Sequence, residues 1–369
     1  MPGTMPSSLP PRPLPQGDAR RWNQPAGAGL PTRQTLLQLR GDILREIRAW
    51  FHSQGFLEVD TPALVKAPSP EPQFSPLSCG QEYLITSPEF QLKRMLVGGF
   101  PRLYRLGPVF RGGEMGPLHN PEFTMLEWYR AGEGLDALAA DLEALTTRLA
   151  PLALAARDGR WLKVVPGHWH LPAGGVRSSQ PVEVDLAPPM AQVTVDALFR
   201  QHLGIALNGA VDAPALLAAA RQAGMTEDLP LDFEQAFFRL WNRLEHRLGL
   251  EAPLLVTHWP APLASLARLT PGQPHTAQRM EWLIAGVELA NGFEELTDPT
   301  EQRRRFLADL EHRQRLGMPP LPLDERFLAA LEEGLPPAAG MALGVDRLVM
   351  LLGGAQTVGQ VMTFGWDER

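Results

Sequence analysis

Residues 110–129, which read FRGGEMGPLHNPEFTMLEWY, bring arginine, glycine, histidine and carboxylate side chains into one short stretch. The planar guanidinium of Arg111 can donate two parallel hydrogen bonds to a phosphate or a carboxylate. Gly112 and Gly113 follow it, and residues without a Cβ atom allow a loop to approach a ligand closely. The stretch predicts an anion-binding loop, although a hairpin with a surface arginine would explain Arg111 taken alone.

The second half of the same stretch is predicted to be a β-strand. Every second residue of a β-strand faces the same side, so Phe123, Glu127 and Tyr129 share one surface. An apolar surface would indicate core packing, but this one combines an aromatic ring, a carboxylate and a phenol. The pattern favours a face that binds a ligand, and Asn120 stands just before it.

Two carboxylates, Glu281 and Glu288, flank a predicted hairpin in RMEWLIAGVELANGF. Ala285 and Gly286 form the turn in this prediction. Leu283 then faces Glu288, and Glu281 lies diagonally across from it at roughly 7 to 8 Å. A divalent cation explains two like charges so close together, because Mg2+ takes one or two protein carboxylates together with phosphate oxygens. A salt bridge from an arginine to one carboxylate is the alternative.

A third group of residues lies in GMALGVDRLVM, near the end of the sequence. Gly340 and Gly344 on a strand permit the close approach of a ligand or of another backbone. Arg347 opens the helix predicted after that strand, and it can reach a phosphate or stack on an adenine ring. The methionine and leucine residues that follow are typical of a core helix.

Periodicity predicts the elements that position these residues. A helix is predicted from residue 35 to residue 55, where apolar side chains recur at helical spacing, and another from Pro88 to Val97. RLYRLGPVF and EFTMLEWY flank the glycine-rich turn as two strands of a long hairpin, which is an antiparallel arrangement. Strands and helices do not alternate strictly, so a doubly wound parallel sheet is disfavoured. Further helices are predicted at 135–150, 211–223 and 233–248, and further strands in GFLEVDTPAL, EYLIT and PLLVTHW.

Composition limits the class of protein. The chain has 369 residues, of which 44% are hydrophobic and 20% charged, and these values are typical of soluble globular proteins. Its net charge of −7 excludes the strongly basic character of a protein that coats nucleic acid. Cys79 is the single cysteine and the first residues include no apolar stretch, so a cytoplasmic protein without disulfides and without a membrane segment is predicted.

Proline is concentrated at the start of the chain, where eight of the 37 prolines fall in residues 1–33. That composition buries too little apolar surface to offset the entropy of ordering the chain. Residues 1–34 are therefore predicted to be a disordered, proline-rich tail, and residues 35–369 to be one folded domain. An insertion into that domain is predicted around residues 151–230, because residues 155–190 show no clear period.

The motifs together resemble those of class II aminoacyl-tRNA synthetases. The resemblance rests on GFLEVDTP, on the arginine loop with HNPEFTMLEWY, and on GMALGVDR, and it runs from about residue 35 to the C-terminus. SPEFQLKRMLVGG and ELANGFEELTD are similar to the lysyl-tRNA synthetase branch. That branch carries an anticodon-binding domain before its first motif, whereas 34 residues stand there in this chain. The chain therefore resembles the elongation factor P β-lysine ligase family, a lysyl-tRNA synthetase paralogue that modifies a protein.

The resemblance implies an α+β catalytic core, with a mainly antiparallel sheet flanked by helices and no anticodon-binding domain. It also implies a role for each matching residue. The ATP-binding residues would be Arg111, Gly112, Gly113, Asn120, Phe123, Glu288, Leu289, Gly344 and Arg347. The residues around the amino-acid substrate would be Ser87, Pro88, Glu89, Tyr129 and Glu295. Arg111 and Arg347 would act in catalysis, and Glu281 and Glu288 would hold Mg2+.

Two positions depart from the lysyl-tRNA synthetase pattern. Gly113 stands where a glutamate is usual, and Glu114 follows it, which puts adenine recognition by that carboxylate in question. Ala342 stands where the synthetases have glycine and the ligase family has alanine. Its added methyl group on the pocket floor implies a preference for an amine displaced onto the β-carbon.

The implied reaction forms an adenylate of (R)-β-lysine from ATP with Mg2+, and then transfers β-lysine to the ε-amine of a lysine on elongation factor P. A homodimer is implied as well, and tRNA is not expected to be the acceptor. One alternative is a truncated lysyl-tRNA synthetase-like enzyme that charges tRNA or another acceptor with lysine. Another is an inactive paralogue that only binds a nucleotide or a partner. Such a protein would lack residues that bind phosphate and metal, but this chain has them.

Overall fold

The computed structural model describes residues 22–27, 29–165, 181–225 and 232–368. These ranges contain nine α-helices: α1 (Arg33–Ser53), α2 (Glu89–Val97), α3 (Leu135–Leu149), α4 (Val195–Leu203), α5 (Ala213–Gln222), α6 (Phe233–Trp241), α7 (Pro299–Arg315), α8 (Glu325–Gly334) and α9 (Val345–Gly353). The strands in these ranges are β1 (Leu57–Glu58), β2 (Leu64–Val65), β3 (Ser78–Cys79), β4 (Glu82–Leu84), β5 (Arg102–Phe110), β6 (Glu122–Ala131), β7 (Ala156–Arg157), β8 (Trp161–Val164), β9 (Val182–Asp185), β10 (Ala191–Thr194), β11 (Leu254–Pro260), β12 (Leu269–Thr270), β13 (Gln273–Ile284), β14 (Val287–Glu294) and β15 (Ala338–Gly344). No helix in the described ranges is long and apolar enough to cross a membrane.

Nine strands form one sheet in the order β1, β5, β6, β15, β14, β13, β11 and β10, with β12 beside β13. The β1–β5 and β10–β11 pairs are parallel, and the other neighbours are antiparallel. The predicted, mainly antiparallel sheet is therefore confirmed. The predicted β5–β6 hairpin is confirmed as well, and its ladder runs to the Phe110 and Glu122 pair. The last strand in the described ranges, β15, lies inside the sheet between β6 and β14.

The two faces of the central strands have different roles, because successive side chains alternate between them. On β6, Leu126 and Trp128 are fully buried in the main core, together with side chains of α1, α3 and α9. The intervening residues of β6 and β15 face the other side, where α2, α7 and α8 form a second apolar cluster at one end. This second face carries the polar side chains of the candidate site.

Helix α1 anchors the layer on the core face. It begins after Thr32, whose side chain accepts a hydrogen bond from the backbone N–H of Thr35 at 3.1 Å. Its buried side chains recur at the predicted helical spacing, and they are Leu36, Leu39, Ile43, Ile47, Trp50 and Phe51. Burial of this stripe stabilises the contact with the sheet by roughly 25 cal/mol for each Å2 of apolar surface removed from water.

The region predicted as an insertion, residues 151–230, has two parts where the structure describes it. Strands β7, β8 and β9 form a separate three-stranded sheet. Helices α4 and α5 pack with α6 in an apolar cluster that covers β11. Strand β10 lies within the same range but pairs with β11 at the edge of the main sheet, so this range is not wholly separate from the core. The remaining parts, residues 166–180 and 226–230, lie outside the described residues.

Residues 22–27 and 29–34 fold against residues 359–368, which differs from the disorder predicted up to residue 34. The Arg33 guanidinium donates hydrogen bonds to both carboxylate oxygens of Glu368 at 2.6 Å. The local composition did not indicate this contact, because the two residues are 335 positions apart in sequence. The part of the prediction that concerns residues 1–21 lies outside the described residues.

Two boundaries also differ from the sequence prediction, and one helix is absent from it. The strand predicted in GFLEVDTPAL, with its end at Pro62, is shortened to β1, and β2 lies in a different sheet. Pro62 lies between them, and it has no N–H donor and restricts the preceding residue. The helix predicted to residue 248 ends at Trp241. Helix α8 is absent from the prediction, although Asp324 marks its start by accepting a hydrogen bond from the N–H of Phe327 at 2.9 Å.

Candidate active site

A cavity of about 600 Å3 opens on the polar face of the sheet, and this volume suits a small-molecule site. The part of its wall formed by β6 consists of Phe123, Met125, Glu127 and Tyr129. Strand β15 adds Gly340, Ala342 and Gly344. In the ladder between these strands, Glu127 lies opposite Ala342 and Tyr129 lies opposite Gly340. The shared surface predicted from the alternation on β6 is therefore confirmed, and it lines the cavity.

One end of the cavity, here called the acidic end, is built around Glu89, Glu127 and Glu295. The buried Glu127 carboxylate accepts hydrogen bonds from the Ser87 hydroxyl at 2.7 Å and from the Tyr129 hydroxyl at 2.8 Å. The Ser87 oxygen in turn accepts from the backbone N–H of Glu89 at 3.1 Å. Burial, and then the neighbouring Glu89 carboxylate, raise the pKa of Glu127 to about 7. These bonds fix the orientation of the polar groups that face a ligand.

Glu295 lies just behind the wall at this end, with 2% of its surface exposed. Its Oε2 is 2.5 Å from Lys93 Nζ, and the same ammonium is 2.5 Å from Glu89 Oε1. Its Oε1 has no hydrogen-bond partner among the described residues. That oxygen is close to Gly340 on the wall, since a Cβ atom added to Gly340 would lie 2.7 Å from it. A buried acceptor without a partner is costly, and a ligand ammonium would satisfy it.

The arginine end of the cavity contains Arg111 and Arg347. The Arg111 guanidinium lies 4.1 Å from the centre of the Phe74 ring and 5.2 Å from the centre of the Phe123 ring. Its Nε donates to the carbonyl of Thr86 at 3.3 Å, which fixes the plane of the group. Its salt bridge within the described chain is a loose one of 4.0 Å, to Glu114. The charge of Arg111 is therefore largely available to an anionic ligand.

Arg347, in the first turn of α9, is held by three acceptors. Its Nη1 donates to the carbonyl of Glu288 at 2.8 Å, and its Nε donates to the carbonyl of Leu118 at 3.2 Å. Its Nη2 is 2.8 Å from Nε2 of His119. Burial, and then the positive charge of Arg347, lower the pKa of His119 to about 4. His119 is therefore neutral at pH 7, and its Nε2 accepts from Arg347.

The hairpin between β13 and β14 has the turn predicted from the sequence. Ala285 and Gly286 have φ angles of 52° and 74°, which is the left-handed conformation that a two-residue hairpin turn requires. Leu283 pairs with Glu288, as predicted. Farther from the turn, a register shift that was outside the prediction places Glu281 opposite Asn291.

Glu281 and Glu288 both line the cavity. Burial, and then the Glu288 carboxylate, raise the pKa of Glu281 to about 8. Arg279 Nη2 donates to Glu281 Oε1 at 2.5 Å, so the arginine partner considered from the sequence is present too. Asn291 Oδ1, beside Glu281, has no partner in the described part of the chain. No group of three or more acidic, histidine or cysteine side chains there can hold a metal alone, so a Mg2+ ion would take its other oxygens from a phosphate ligand.

Most of the residues predicted from the sequence lie on the cavity wall, namely Ser87, Glu89, Arg111, Asn120, Phe123, Tyr129, Glu281, Glu288, Leu289, Ala342, Gly344 and Arg347. Pro88, Gly112, Gly113 and Glu295 do not, and Glu295 lies behind the wall at Gly340. Pro88 caps the start of α2, and Gly113 occupies a turn with a φ of 78°. The N–H of Gly112 donates to the carbonyl of Ser75 at 2.7 Å, and a Cβ atom on Gly112 would lie 2.9 Å from that oxygen. These glycines therefore shape the arginine loop and do not face the ligand directly.

Several residues of the site are absent from the sequence prediction. Glu71 and Phe74, in the loop rich in proline and serine, line the cavity. Arg313 Nη1 fixes that loop by donating to the carbonyls of Glu71 and Phe74 at 3.3 and 2.9 Å. Lys93 is absent from the prediction as well, although its i, i+4 spacing from Glu89 is a signal for an ion pair on a helix.

The cavity can therefore hold a ligand, or two ligands in contact, with cationic groups at one end and anionic groups at the other. Carboxylates at the acidic end can pair with ammonium groups. Guanidinium groups at the arginine end can pair with phosphates. Such an arrangement can align the carboxylate of an amino acid with a phosphate of a nucleotide.

Comparisons with known proteins give one family and a group of similar enzymes. Residues 29–368 match the family described as tRNA synthetases class II (D, K and N). The chain is 35% identical over 346 residues to the elongation factor P–(R)-beta-lysine ligase of Haemophilus ducreyi, a match that covers 91% of this chain and 94% of that protein. Ligases of the same name from Haemophilus influenzae and Klebsiella pneumoniae are 33% identical over 339 residues and 35% identical over 343 residues. Each of these two matches covers 89% of this chain and 94% of the relative.

Proposed function

The chain belongs to the class II tRNA synthetases (D, K and N), and on this premise we propose that it is an ATP-dependent ligase that joins (R)-β-lysine to elongation factor P. Relatives with 33 to 35% identity carry the name of that activity. The enzyme activates β-lysine as an adenylate and transfers it to the ε-amine of a lysine on the acceptor protein. The observation that carries the proposal is the division of one cavity into an acidic end and an arginine end.

The acidic end of the cavity suits β-lysine, which has two ammonium groups and one carboxylate. Glu89 binds the amine nearer the substrate carboxylate, and Tyr129 and Glu295 bind the terminal ammonium. Ser87 and Pro88 shape this part of the pocket at the start of α2. A buried charge without a partner is costly, so each ammonium needs a carboxylate of its own. The partnerless Oε1 of Glu295 supports this assignment.

The arginine end suits ATP. Arg111 binds the α-phosphate, while Phe123 and Arg347 hold the adenine ring from its two sides. The nucleotide site is completed by Asn120, Glu288, Leu289 and Gly344, and Gly112 and Gly113 shape the loop that carries Arg111. The open space at Gly344 supports this arrangement, because a Cβ atom added there would have no neighbour closer than 3.8 Å.

Glu281 and Glu288 are the residues that would hold Mg2+. Their separation by one hairpin turn and the partnerless amide oxygen of Asn291 make a set of oxygen donors that this ion accepts. When bound, the ion neutralises charge on the phosphates of the nucleotide. The Arg279 side chain holds Glu281 in place from the other side.

Catalysis in this proposal relies on positioning and electrostatics. A carboxylate oxygen of β-lysine attacks the α-phosphorus of ATP, and the bond from that phosphorus to the pyrophosphate oxygen breaks. Arg111 and Arg347 stabilise the negative charge that develops on the phosphates. The neutral ε-amine of the acceptor lysine then attacks the activated carbonyl carbon, AMP leaves, and the nitrogen loses a proton as the amide forms. No protein nucleophile is required.

Ala342 is proposed to set the preference for the position of the amine. Its side chain shares the floor of the cavity with Glu127 on β6 and Asn291 on β14, which lie directly opposite it. We expect Ala342→Gly to raise the ratio of α-lysine to β-lysine activation by about 10-fold, the order of magnitude of one methyl group in a pocket. The values of kcat/KM for the two amino acids in ATP–pyrophosphate exchange measure this ratio. Ala339→Gly on the core face of β15 is the matched control, and an equal ratio in both variants would argue against the assignment.

We propose elongation factor P, and not tRNA, as the acceptor, and a homodimer as the assembly. The surface proposed for dimerisation comprises α1 and the region of Pro62. Leu57 and Leu64, on either side of Pro62, are exposed apolar side chains that support this choice.

Mass spectrometry of elongation factor P tests the proposed function directly. The acceptor is incubated with the enzyme and ATP, and either β-lysine or α-lysine is added. One β-lysyl group on a single lysine residue is the expected product, formed only in the presence of ATP. A parallel reaction contains labelled amino acid and tRNA in place of the protein. Label that accumulates on tRNA while elongation factor P stays unmodified would rule out the proposal.

A further inference from the structure

The ammonium group of Lys93 is buried behind the acidic end of the cavity. Its side chain is 1% exposed, and its Nζ is 2.5 Å from one oxygen of Glu89 and 2.5 Å from one oxygen of Glu295. Only three of the 34 lysine and arginine residues of the chain are lysines. Because the side chain is buried, its compact ammonium, which is strongly hydrated in water, is desolvated here. Two carboxylates replace the water that it loses.

The charges around Lys93 do not cancel. Glu89 and Glu295 contact it, and Glu127 is joined to the backbone of Glu89 through the Ser87 hydroxyl. Three carboxylates thus surround one ammonium. When all three are ionised, the group has two negative charges in excess, and an interior site needs counter-charges for them.

The other charged or titratable groups that face this cluster leave that excess in place. Burial, and then Glu127, raise the pKa of Tyr129 far above its ordinary value, so the phenol is neutral. Arg105 lies opposite Glu127 on β5 and adds one positive charge, and Glu71, whose carboxylate interacts with that of Glu89, adds one negative charge. One added pair of opposite charges does not alter the count.

We propose that Lys93 is a positioning residue that makes this pocket select an amino acid with two ammonium groups, an inference that rests on the function proposed above. By neutralising one of three carboxylates, Lys93 leaves two negative charges for the two ammonium groups of one substrate. By contacting Glu89 and Glu295 together, it also fixes the distance between two of the carboxylates that bind these ammonium groups. Lys93 lies behind the cavity wall, so it acts on the substrate through these carboxylates.

Protonation of the carboxylates provides a readout of this role. Burial raises the pKa of Glu295 to about 8 and that of Glu127 to about 7, and the charge of Lys93 acts on both in the opposite direction. A protonated carboxyl group does not pair with an ammonium. Binding of β-lysine is therefore weak below these pKa values and strengthens as the pH rises through them. Without Lys93 both pKa values lie higher, so binding strengthens only at higher pH.

The test compares wild-type enzyme and Lys93→Met in β-lysine-dependent ATP–pyrophosphate exchange between about pH 6 and pH 9. In the wild type, the KM for β-lysine should fall as the pH rises. In the variant, KM should fall over a pH range that lies about one unit higher than in the wild type. At neutral pH its KM should be raised about 10-fold, and its kcat should change less. Lys93→Arg keeps the charge and should restore part of the profile. Lys163→Met removes an exposed lysine on β8 and should keep the wild-type profile.

Proton release on binding gives a second measurement. Calorimetric titrations with β-lysine, in two buffers with different ionisation enthalpies, count the protons that leave the enzyme. Lys93→Met should release more protons for each β-lysine bound than the wild type does near neutral pH, because its carboxylates start more protonated. Lys93→Gln, which keeps a polar side chain without charge, replaces Lys93→Met in both measurements if thermal unfolding shows that the methionine variant is not folded.

The outcomes separate the two proposals. A wild-type pH profile and a wild-type proton count in the neutral variant overturn the role of Lys93. A wild-type enzyme without any β-lysine-dependent exchange contradicts the proposed function instead.

Discussion

An Arg111→Ala variant is expected to lose β-lysine-dependent ATP–pyrophosphate exchange by a factor of about 100 to 1,000, the usual effect of removing one preorganised charge-stabilising donor. The guanidinium is fixed by the Phe74 and Phe123 rings and by the carbonyl of Thr86, so it needs no rearrangement as charge develops on the α-phosphate. Alanine removes that donor and its charge together. Initial rates at saturating ATP and β-lysine measure the effect on kcat.

Two further variants separate charge from geometry at this position. Arg111→Lys keeps the positive charge but not the planar pair of donors, so it should recover only a small part of the lost rate. Arg315→Ala removes an arginine from the exposed end of α7 and should exchange at the wild-type rate. Exchange by Arg111→Ala at close to the wild-type rate would mean that another group binds the α-phosphate.

A Gly340→Ala variant is expected to lose β-lysine activation while still binding ATP. A Cβ atom on Gly340 would lie 2.2 Å from Cε1 of Tyr129 and 2.7 Å from Oε1 of Glu295, and real Cβ atoms do not approach so closely. The Tyr129 ring must move, and its 2.8 Å hydrogen bond to Glu127 breaks with it. Hydrogen bonds to charged groups contribute about 1.5 to 3 kcal/mol each, so two lost contacts to the terminal ammonium raise the KM for β-lysine by at least about 100-fold.

Gly41→Ala is the matched control for this substitution. Gly41 lies in α1, where an added Cβ atom has no neighbour within 4 Å, and alanine is favoured over glycine inside a helix. This control should keep the wild-type KM for β-lysine and unfold at a slightly higher temperature. Thermal unfolding of Gly340→Ala with each ligand then distinguishes a lost pocket from a lost fold, because a bound ligand stabilises the folded state. Stabilisation by β-lysine equal to that of the wild type would contradict the proposed pocket.

The parts of the site that depend on neighbouring residues could be predicted from the sequence. Alternation along β6 is a property of one strand, so it correctly placed Phe123, Glu127 and Tyr129 on one surface. The turn at Ala285 and Gly286 is equally local, and it correctly set Leu283 against Glu288. The mainly antiparallel sheet followed from the same hairpins. Local geometry thus accounts for much of the wall of the cavity.

The parts that depend on distant residues could not be predicted in this way. Lys93 and Glu295 meet because α2 and the ends of β14 and β15 share one apolar cluster, and no periodic pattern connects the two residues. Strand β13 is paired with β11 on one edge and with β14 on the other, and the register shift that places Glu281 opposite Asn291 lies in the second pair. Gly112 faces the carbonyl of Ser75 instead of a ligand, because the loop before β3 packs against it.

The position of β15 sets an order of events during protein synthesis. This strand is made after all the other described strands, yet it lies between β6 and β14. The strand that carries Tyr129 and the hairpin that carries Glu281 and Glu288 therefore cannot share one sheet until residues 338–344 have left the ribosome. Contacts between such distant segments form late, because the entropy of closing the long connection must be overcome first. A translation product interrupted before residue 338 therefore lacks both the strand that joins the two halves of the cavity and the three wall positions Gly340, Ala342 and Gly344.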